Sequence, residues 1–563
     1  MKTLIILVMA CFFNAVHAQD WSREAELTGV GKFSPHHRAD IFQQGARSLE
    51  AALVRGRSHA LDYPVTVTEL MIPYESFLEF FKADPKNPLK RLIYRASKKI
   101  TRMQSPEDVM EWLGIHDYPT TPEQQGPGPW PVMERELMDL GMGASLITQG
   151  GAQGLTFSCA ACHSADLFGK KVLGLTNRFP RANEFFRAGK RLLPYAHPVL
   201  FRAMTEASEE DVKMLQRSRY AVQFVGAKKP QVLGLDTSLA QVALSLARRG
   251  TDEYATRDVK ISRQPRPNPL EKKIADSKPA VWWNVKYKTR WLSDGSIVQG
   301  NPIHTNFLWN EIGRGIDLKS LEGWLNQNQA VIDDLTASVF ATPAPEFLDF
   351  LPEKMIKIDM AKKGEVHYNN HCMRCHGQYQ KGWSLPEADS LSLKEKIRTV
   401  EVAYHRKTPV IDVGTDPGRY EGMKFFAEEL NRLKISKSIN TVVEPQNGYV
   451  PPPLVGIWAR WPYFHNNSAP NLCAVLTAGK DRPLTYWAGE AQNPETDYDP
   501  ECGGYPVGSK TPEAWKKDQS KFYDTRREGL SRMGHDEKIF IKEGQEVMTP
   551  QEKKELIEFL KTL

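Results

Sequence analysis

Cys159-Ala-Ala-Cys162-His163 and Cys372-Met-Arg-Cys375-His376 are the two stretches whose residue types and spacing point most directly to chemistry. Both read C-x-x-C-H, the attachment pattern of c-type haem. On a helix, positions i, i+3 and i+4 share a face. Two thiols can then add to the vinyl groups of one porphyrin while the following histidine points at the iron. Zinc is the competing reading, because C-x-x-C supplies half of a tetrahedral site. A zinc site would need further Cys/His pairs nearby, and the remaining cysteines are isolated. With only seven cysteines in 563 residues, two accidental matches are a negligible expectation. The sequence therefore predicts two covalently attached haem c groups, with His163 and His376 as the proximal iron ligands.

The segments that must position these residues read as mainly α with long ordered loops. Helical stretches are expected over residues 40–54 and 74–81. A Pro/Gly-rich break, Gln125-Gly-Pro-Gly-Pro-Trp-Pro131, follows. From residue 134 to about 351 the composition favours helix, interrupted by a proline-rich loop at 263–269. A second break, Thr342-Pro-Ala-Pro-Glu346, precedes an amphipathic helix expected over 353–370. At the C-terminus Thr549 can cap a helix, Pro550 fits its first turn, and Leu556, Ile557 and Leu560 share a face. No repeat of 20–50 residues is present, which excludes a solenoid. The expected organisation is a signal peptide over 1–18, an N-terminal extension without recognisable chemistry over 19–145, a first haem (catalytic) domain over 146–350 and a second haem domain over 351–563.

Composition narrows the function classes. A mean hydropathy of −0.47, with the only long apolar run at the N-terminus, excludes a polytopic membrane protein. The 74 Lys+Arg and 68 Asp+Glu are spread along the chain with no basic stripe, giving nucleic-acid binding no support. Met1-Lys2-Thr3, the apolar run to Phe13 and Asn14-Ala-Val-His-Ala18 read as a secretory signal peptide cleaved after Ala18, with lipoprotein processing at Cys11 as a minor alternative. The expected location is the periplasm or the exterior, where disulfides persist. There Cys473 and Cys502 would pair, the alternative being two separate buried thiols; the closed loop would contribute roughly 3.5 kcal/mol. Losing Lys2 and gaining four haem propionates brings the net charge from +6 to about +1.

Beyond the haem motifs, whole segments resemble known ones. Ala361-Lys-Lys-Gly-Glu-Val-His-Tyr-Asn-Asn-His-Cys372 resembles the opening helix of a cytochrome c domain, and the terminal helix resembles the one that packs across it. The first motif has a similar short approach, Leu155-Thr-Phe-Ser-Cys159. Over residues 150–563 the sequence resembles the di-haem peroxidase superfamily, particularly its branch of latex-cleaving rubber oxygenases. Val450-Pro-Pro-Pro-Leu and Trp461-Pro-Tyr-Phe-His-Asn-Asn-Ser468 are similar to the family's segment after the second haem, with Asn467 where glycine is usual. Asparagine tolerates φ > 0 there. Trp282-Trp283-Asn284 and Trp291-Leu-Ser-Asp294-Gly295-Ser296 resemble the segment that places a tryptophan between the haems, making Trp291 and Trp283 rival candidates for that role.

The resemblance implies an open first haem and a second haem held by two histidines. Met533-Gly534-His535 resembles the family's Gly-His ligand element and nominates His535 as the second iron's other ligand, although Arg526-Arg527-Glu528 departs from the usual small polar run. Met533 and Met423 are alternatives. His465 is expected to be structural, and His304, His371 and His405 to be surface or satisfied core histidines. Met204, Met214 and His304 are possible distal groups at the first iron, but none sits in a motif. Aromatics from Trp282 to Trp309, Phe307 included, would wall an apolar pocket or serve as ordinary core.

These features imply an oxidoreductase whose first iron binds dioxygen or hydrogen peroxide. Its further partner would be an apolar alkene substrate or a small redox protein. The rival class is a pure electron-transfer cytochrome with both irons six-coordinate.

Overall fold

The computed structural model describes residues 32–33, 38–82, 88–101, 103–537 and 539–563. The expected signal peptide, its cleavage site and Cys11 lie outside the described residues. Helix accounts for 46% and strand for 12%, which agrees with a mainly α chain. No described helix is long and apolar enough to cross a membrane.

The first C-x-x-C-H motif is reached from a strand rather than a helix. Strands Ala144–Gln149 and Ala152–Phe157 form an antiparallel hairpin, and Ile72–Pro73 pairs on the other edge of Ala152–Phe157. The chain passes from Phe157 directly into the helical turn Ala160–His163 and then into a second hairpin, Ser164–Leu167 with Lys170–Leu173. Alternation is weak in these strands because most of their side chains are buried, so the sequence did not announce them.

Residues 19–145 are not a detached appendage where they are described. The helix Ala46–Leu61 packs along Gln329–Ala341 and is tied to it by an ion pair between Arg55 and Asp334 at 2.7 Å. That helix starts six residues later than the expected 40–54. Asp40 instead accepts hydrogen bonds from the backbone of Gln44 and Gly45, holding a turn ahead of the helix. The helix at residues 74–81 is observed as Tyr74–Phe81.

The second motif follows the helix Ile358–His371, which crosses the terminal helix Pro550–Lys561. The approach is so close that a Cβ on Gly364 would fall 1.9 Å from the Glu555 carbonyl oxygen. The helix expected over 353–370 is broken near its start. A 3-10 turn, Glu353–Met355, precedes it, and the Lys357 amide donates to Glu558 of the terminal helix at 2.9 Å. Thr549 caps the terminal helix in a reciprocal box with Glu552, and Leu556, Ile557 and Leu560 are buried. Cys473 and Cys502 are joined as a disulfide.

Two large apolar clusters make up most of the interior. One holds Trp282, Trp291 and Phe307, and the other holds Trp283, Trp458 and Trp461. The peptide between Trp282 and Trp283 therefore runs from one core to the other.

Candidate functional site

Each C-x-x-C-H motif forms a single helical turn closed by its own backbone. The His163 amide donates to the Cys159 carbonyl at 3.1 Å, and the His376 amide to the Cys372 carbonyl at 3.0 Å. That closure places the two thiols and the imidazole of each motif on one side. None of the four cysteines is in a disulfide, and all are partly exposed. Burial pushes Cys159 up to about 11 and Cys162 and Cys372 up to about 12, so these three are un-ionised at neutral pH. Among the described residues, no group of three His, Cys, Asp or Glu could hold a metal, whereas a structural zinc site needs four ligands together.

At the second motif, the His376 Nδ1 lies 2.8 Å from the Pro452 carbonyl, which fixes the tautomer and leaves Nε2 free. Across from it stands His535, 159 residues further along the chain. The two ring centroids are 6.2 Å apart. Two metal–imidazole bonds of roughly 2 Å plus the half-width of each ring add up to about 6 Å. The residues present therefore fit an iron held between the two imidazoles. Burial pushes His376 down to about 4 and His535 to about 3, keeping both rings neutral, the form that binds a metal.

His535 is held in place by its backbone. It adopts φ 57°, next to Gly534 at φ 85°, and its amide donates to the Val413 carbonyl at 2.7 Å. A Cβ on Gly534 would come within 2.3 Å of Gly414 and Thr415, so only glycine fits. The buried Arg482 donates to the Gly534 carbonyl at 2.7 Å. Arg482 sits in the loop closed by Cys473 and Cys502.

The first motif has a different partner. Trp282 packs on His163 with centroids 5.7 Å apart, and burial pushes His163 down to about 4. Among the described residues, no second histidine ring packs against it. Tyr63, from the N-terminal extension, lies within electrostatic reach of Cys159 and donates to Glu311 at 2.7 Å. Arg314 pairs with Glu311 at 3.1 Å, stacks over the Tyr63 ring at 4.2 Å and donates to the Phe157 carbonyl. Phe307 packs on Tyr63 at 5.8 Å. The extension showed no chemistry in the sequence, because Tyr63 reaches the motif only through the hairpin and the helix Pro302–Gly313. No local signal could have found it.

The two tryptophan candidates sit differently. Trp283 is fully buried, and its indole donates to the Val455 carbonyl at 2.8 Å, in the same segment as Pro452. Trp291 is buried in the core that contains Trp282, with its indole N–H unpartnered, and has no ring contact with either motif histidine. Of the adjacent pair, Trp282 thus contacts the first motif and Trp283 the segment that carries Pro452.

The remaining histidines and methionines are placed as follows. His465 stacks on Tyr449 at 4.0 Å, and the neighbouring Asn467 adopts φ 63°. His405 lies 3.1 Å from the Cys375 carbonyl, His304 is bonded to Gln329, and His371 is partly exposed. Met214 and Met423 are buried in the core of the first cluster, Met533 is exposed, and the Met204 carbonyl accepts a bond from Tyr94.

The chain is 38% identical over 126 residues to a protein of Sinorhizobium fredii (strain NBRC 101917 / NGR234) named "Uncharacterized protein y4iJ", covering 21% of this chain and 19% of that one. It is 26% identical over 273 residues to "Uncharacterized protein y4iM" of the same strain, covering 47% of this chain and 57% of that one. The chain thus spans about a fifth and somewhat over half of these relatives. Residues 448–488, which include Pro452, His465 and Arg482, match the family described as RoxA-like, cytochrome c-like, and this supports a cytochrome c of the RoxA-like branch with a haem-based redox function.

Proposed function

We propose that this chain is an exported di-haem c-type oxidoreductase, with one haem attached at Cys159, Cys162 and His163 and another at Cys372, Cys375 and His376. The observation that carries this reading is the facing pair His376–His535 at 6.2 Å, set against a His163 whose ring neighbour is Trp282. A haem with two imidazole ligands is saturated and suited to electron transfer, whereas one with a free sixth position binds dioxygen or peroxide. In this reading the second haem relays electrons to the first or tunes it. The first works beside an apolar substrate in the manner of rubber oxygenases and the di-haem peroxidase superfamily.

The chain's own residues have definable roles here. Pro452 orients His376, and Gly534 and Arg482 present His535. Tyr63 and Phe307 wall the first motif, while the Arg314–Glu311 pair anchors Tyr63 and the Phe157 strand that delivers Cys159. Trp282, against His163, and Trp283, bonded to Val455, would carry electrons between the two sites. Residues 146–350 and 351–563 would be the two haem domains, and they share their apolar cores: Met423 and Val443 pack in the first, and Leu167 and Val281 in the second.

The test is ligand binding and turnover by purified holoprotein. A shift of the absorption spectrum on adding cyanide is expected for one haem of the two. Oxygen uptake with a polyisoprene emulsion and no reductant assigns an oxygenase, and peroxide turnover with a reduced small cytochrome assigns a peroxidase. No spectral response to cyanide would instead make the chain an electron carrier.

A further inference from the structure

Among the described residues, five of the seven most exposed large apolar side chains belong to one corner of the fold: Leu92, Leu192, Tyr195, Val199 and Leu200. The last four are between 57% and 86% exposed and lie within nine residues. They run from the end of the helix Ala182–Leu192, through the 3-10 turn Leu193–Tyr195, into the first turn of the helix Pro198–Thr205. The helix Pro88–Thr101, which carries Leu92, is joined to this segment. The Tyr94 hydroxyl donates to the Met204 carbonyl, and Lys90 pairs with Glu206 at 3.2 Å. The turn itself is pinned, because Arg219 donates to the Pro194 carbonyl at 3.0 Å. On the inner side Phe185 and Phe186 pack edge-on against Phe157, two residues before Cys159, with centroids 5.0 and 6.0 Å apart.

The charges around these side chains have one sign. Residues 187–202 carry Arg187, Lys190, Arg191 and Arg202 and no acidic residue; residues 88–99 carry Lys90, Arg91, Arg95, Lys98 and Lys99 and no acidic residue. Lys190 is turned inward onto the Val225 carbonyl, and Arg187 lies within electrostatic reach of Glu184. Arg191, Arg202 and Lys99 are exposed and in no ion pair among the described residues. Glu206, Glu209 and Glu210 begin past the opposite end of the helix Pro198–Thr205, about 10 Å of helical rise from Val199. A protein rarely leaves such an apolar cluster to water. A second copy of the chain would set like charges against each other, and a neutral hydrocarbon surface would leave the cations unanswered. A bilayer with anionic headgroups answers both the apolar side chains and the cations that flank them. We propose that this face seats the protein on an anionic phospholipid surface, with Leu92, Leu192, Tyr195, Val199 and Leu200 entering the boundary between headgroups and acyl chains. Arg191, Arg202 and Lys99 meet the phosphates. On the oxidoreductase reading above, docking here sets the first motif one layer of helix from the lipid, the phase in which an apolar substrate dissolves.

The test is flotation of purified holoprotein with vesicles of phosphatidylcholine alone and of phosphatidylcholine mixed with phosphatidylglycerol. Binding to the mixed vesicles is expected, with little to the neutral ones, and added salt should weaken it. The double variant Arg191→Gln/Arg202→Gln should weaken it roughly 25-fold, at about fivefold for each cation near an anionic surface. Val199→Ser/Leu200→Ser should weaken it at every salt concentration. The matched control Lys362→Gln/Val366→Ser, exposed on the helix Ile358–His371, should bind as wild type does. The arginine pair keeps the test decisive if the apolar pair fails to fold, because both guanidinium groups are exposed. Absence of wild-type binding to the mixed vesicles overturns the inference. So does equal binding to the two kinds of vesicle, which would be apolar adhesion alone, or wild-type binding in both substituted pairs. Retention on an immobilised acidic cytochrome without flotation would assign the face to a protein partner and overturn it as well. A chain that floats as expected but carries fewer than two haems would uphold the lipid face and overturn only the di-haem reading.

Discussion

His535 faces His376 across the place where the second iron would sit. His535→Ala removes one of two imidazoles facing across 6.2 Å, so one haem should pass from low-spin to high-spin while the haem count stays at two. His535→Met should keep the low-spin state but raise the potential, because methionine is the weaker donor to ferric iron. Gly534→Ala forces a left-handed backbone costing about 1–2 kcal/mol, and its Cβ meets Gly414 at 2.3 Å. It should therefore also disturb the low-spin spectrum, which absorption spectroscopy would show. At this scale much of the site was legible. The C-x-x-C-H spacing names six residues directly, and a Gly-His step marks the point where a strained backbone presents a ring. Tyr63 was not legible as a site residue, and Trp282 only as part of the inter-haem segment and of the aromatics expected to wall a pocket, not as the ring against His163. Their roles depend on contacts across 96 and 119 residues of chain, which no local pattern encodes.

The helices and loops that carry the second site make their own predictions. The crossing of Ile358–His371 and Pro550–Lys561 depends on Gly364, where an added Cβ has 1.9 Å to the Glu555 carbonyl. Gly364→Ala overpacks that contact and should cost about 1–3 kcal/mol in denaturant unfolding. Gly364→Val should cost more. The cap and apolar face of the terminal helix could be read from sequence, because each depends on residues within one or two turns. The close approach could not, since it is a property of two helices separated by nearly two hundred residues. The disulfide Cys473–Cys502 closes the loop containing Arg482, which holds Gly534. Replacing both cysteines by serine should lower stability by roughly 3.5 kcal/mol. The same change should perturb the low-spin haem spectrum more than the high-spin one, a difference readable in the absorption bands.

For the molecule as a whole, the two apolar cores meet at Trp282–Trp283, one ring against His163 and the other bonded to Val455. If electrons pass between the sites along this pair, Trp283→Phe should slow reduction of the first haem by the second in stopped-flow measurements while leaving both resting spectra intact. Trp291→Phe, in the first core alone, should change that rate less. The mainly α class was legible from composition and periodicity, whereas the hairpins around the first motif were not, because fully buried strands lose the alternation that marks them. The central claim, that two haems in unlike coordination share one chain, is tested most directly by the electron paramagnetic resonance spectrum of the ferric holoprotein with its haem count. Two haems per chain are expected, giving one low-spin signal from the His376–His535 site and one high-spin signal from the His163 site. Two low-spin signals and no high-spin component, or a single haem per chain, would contradict it.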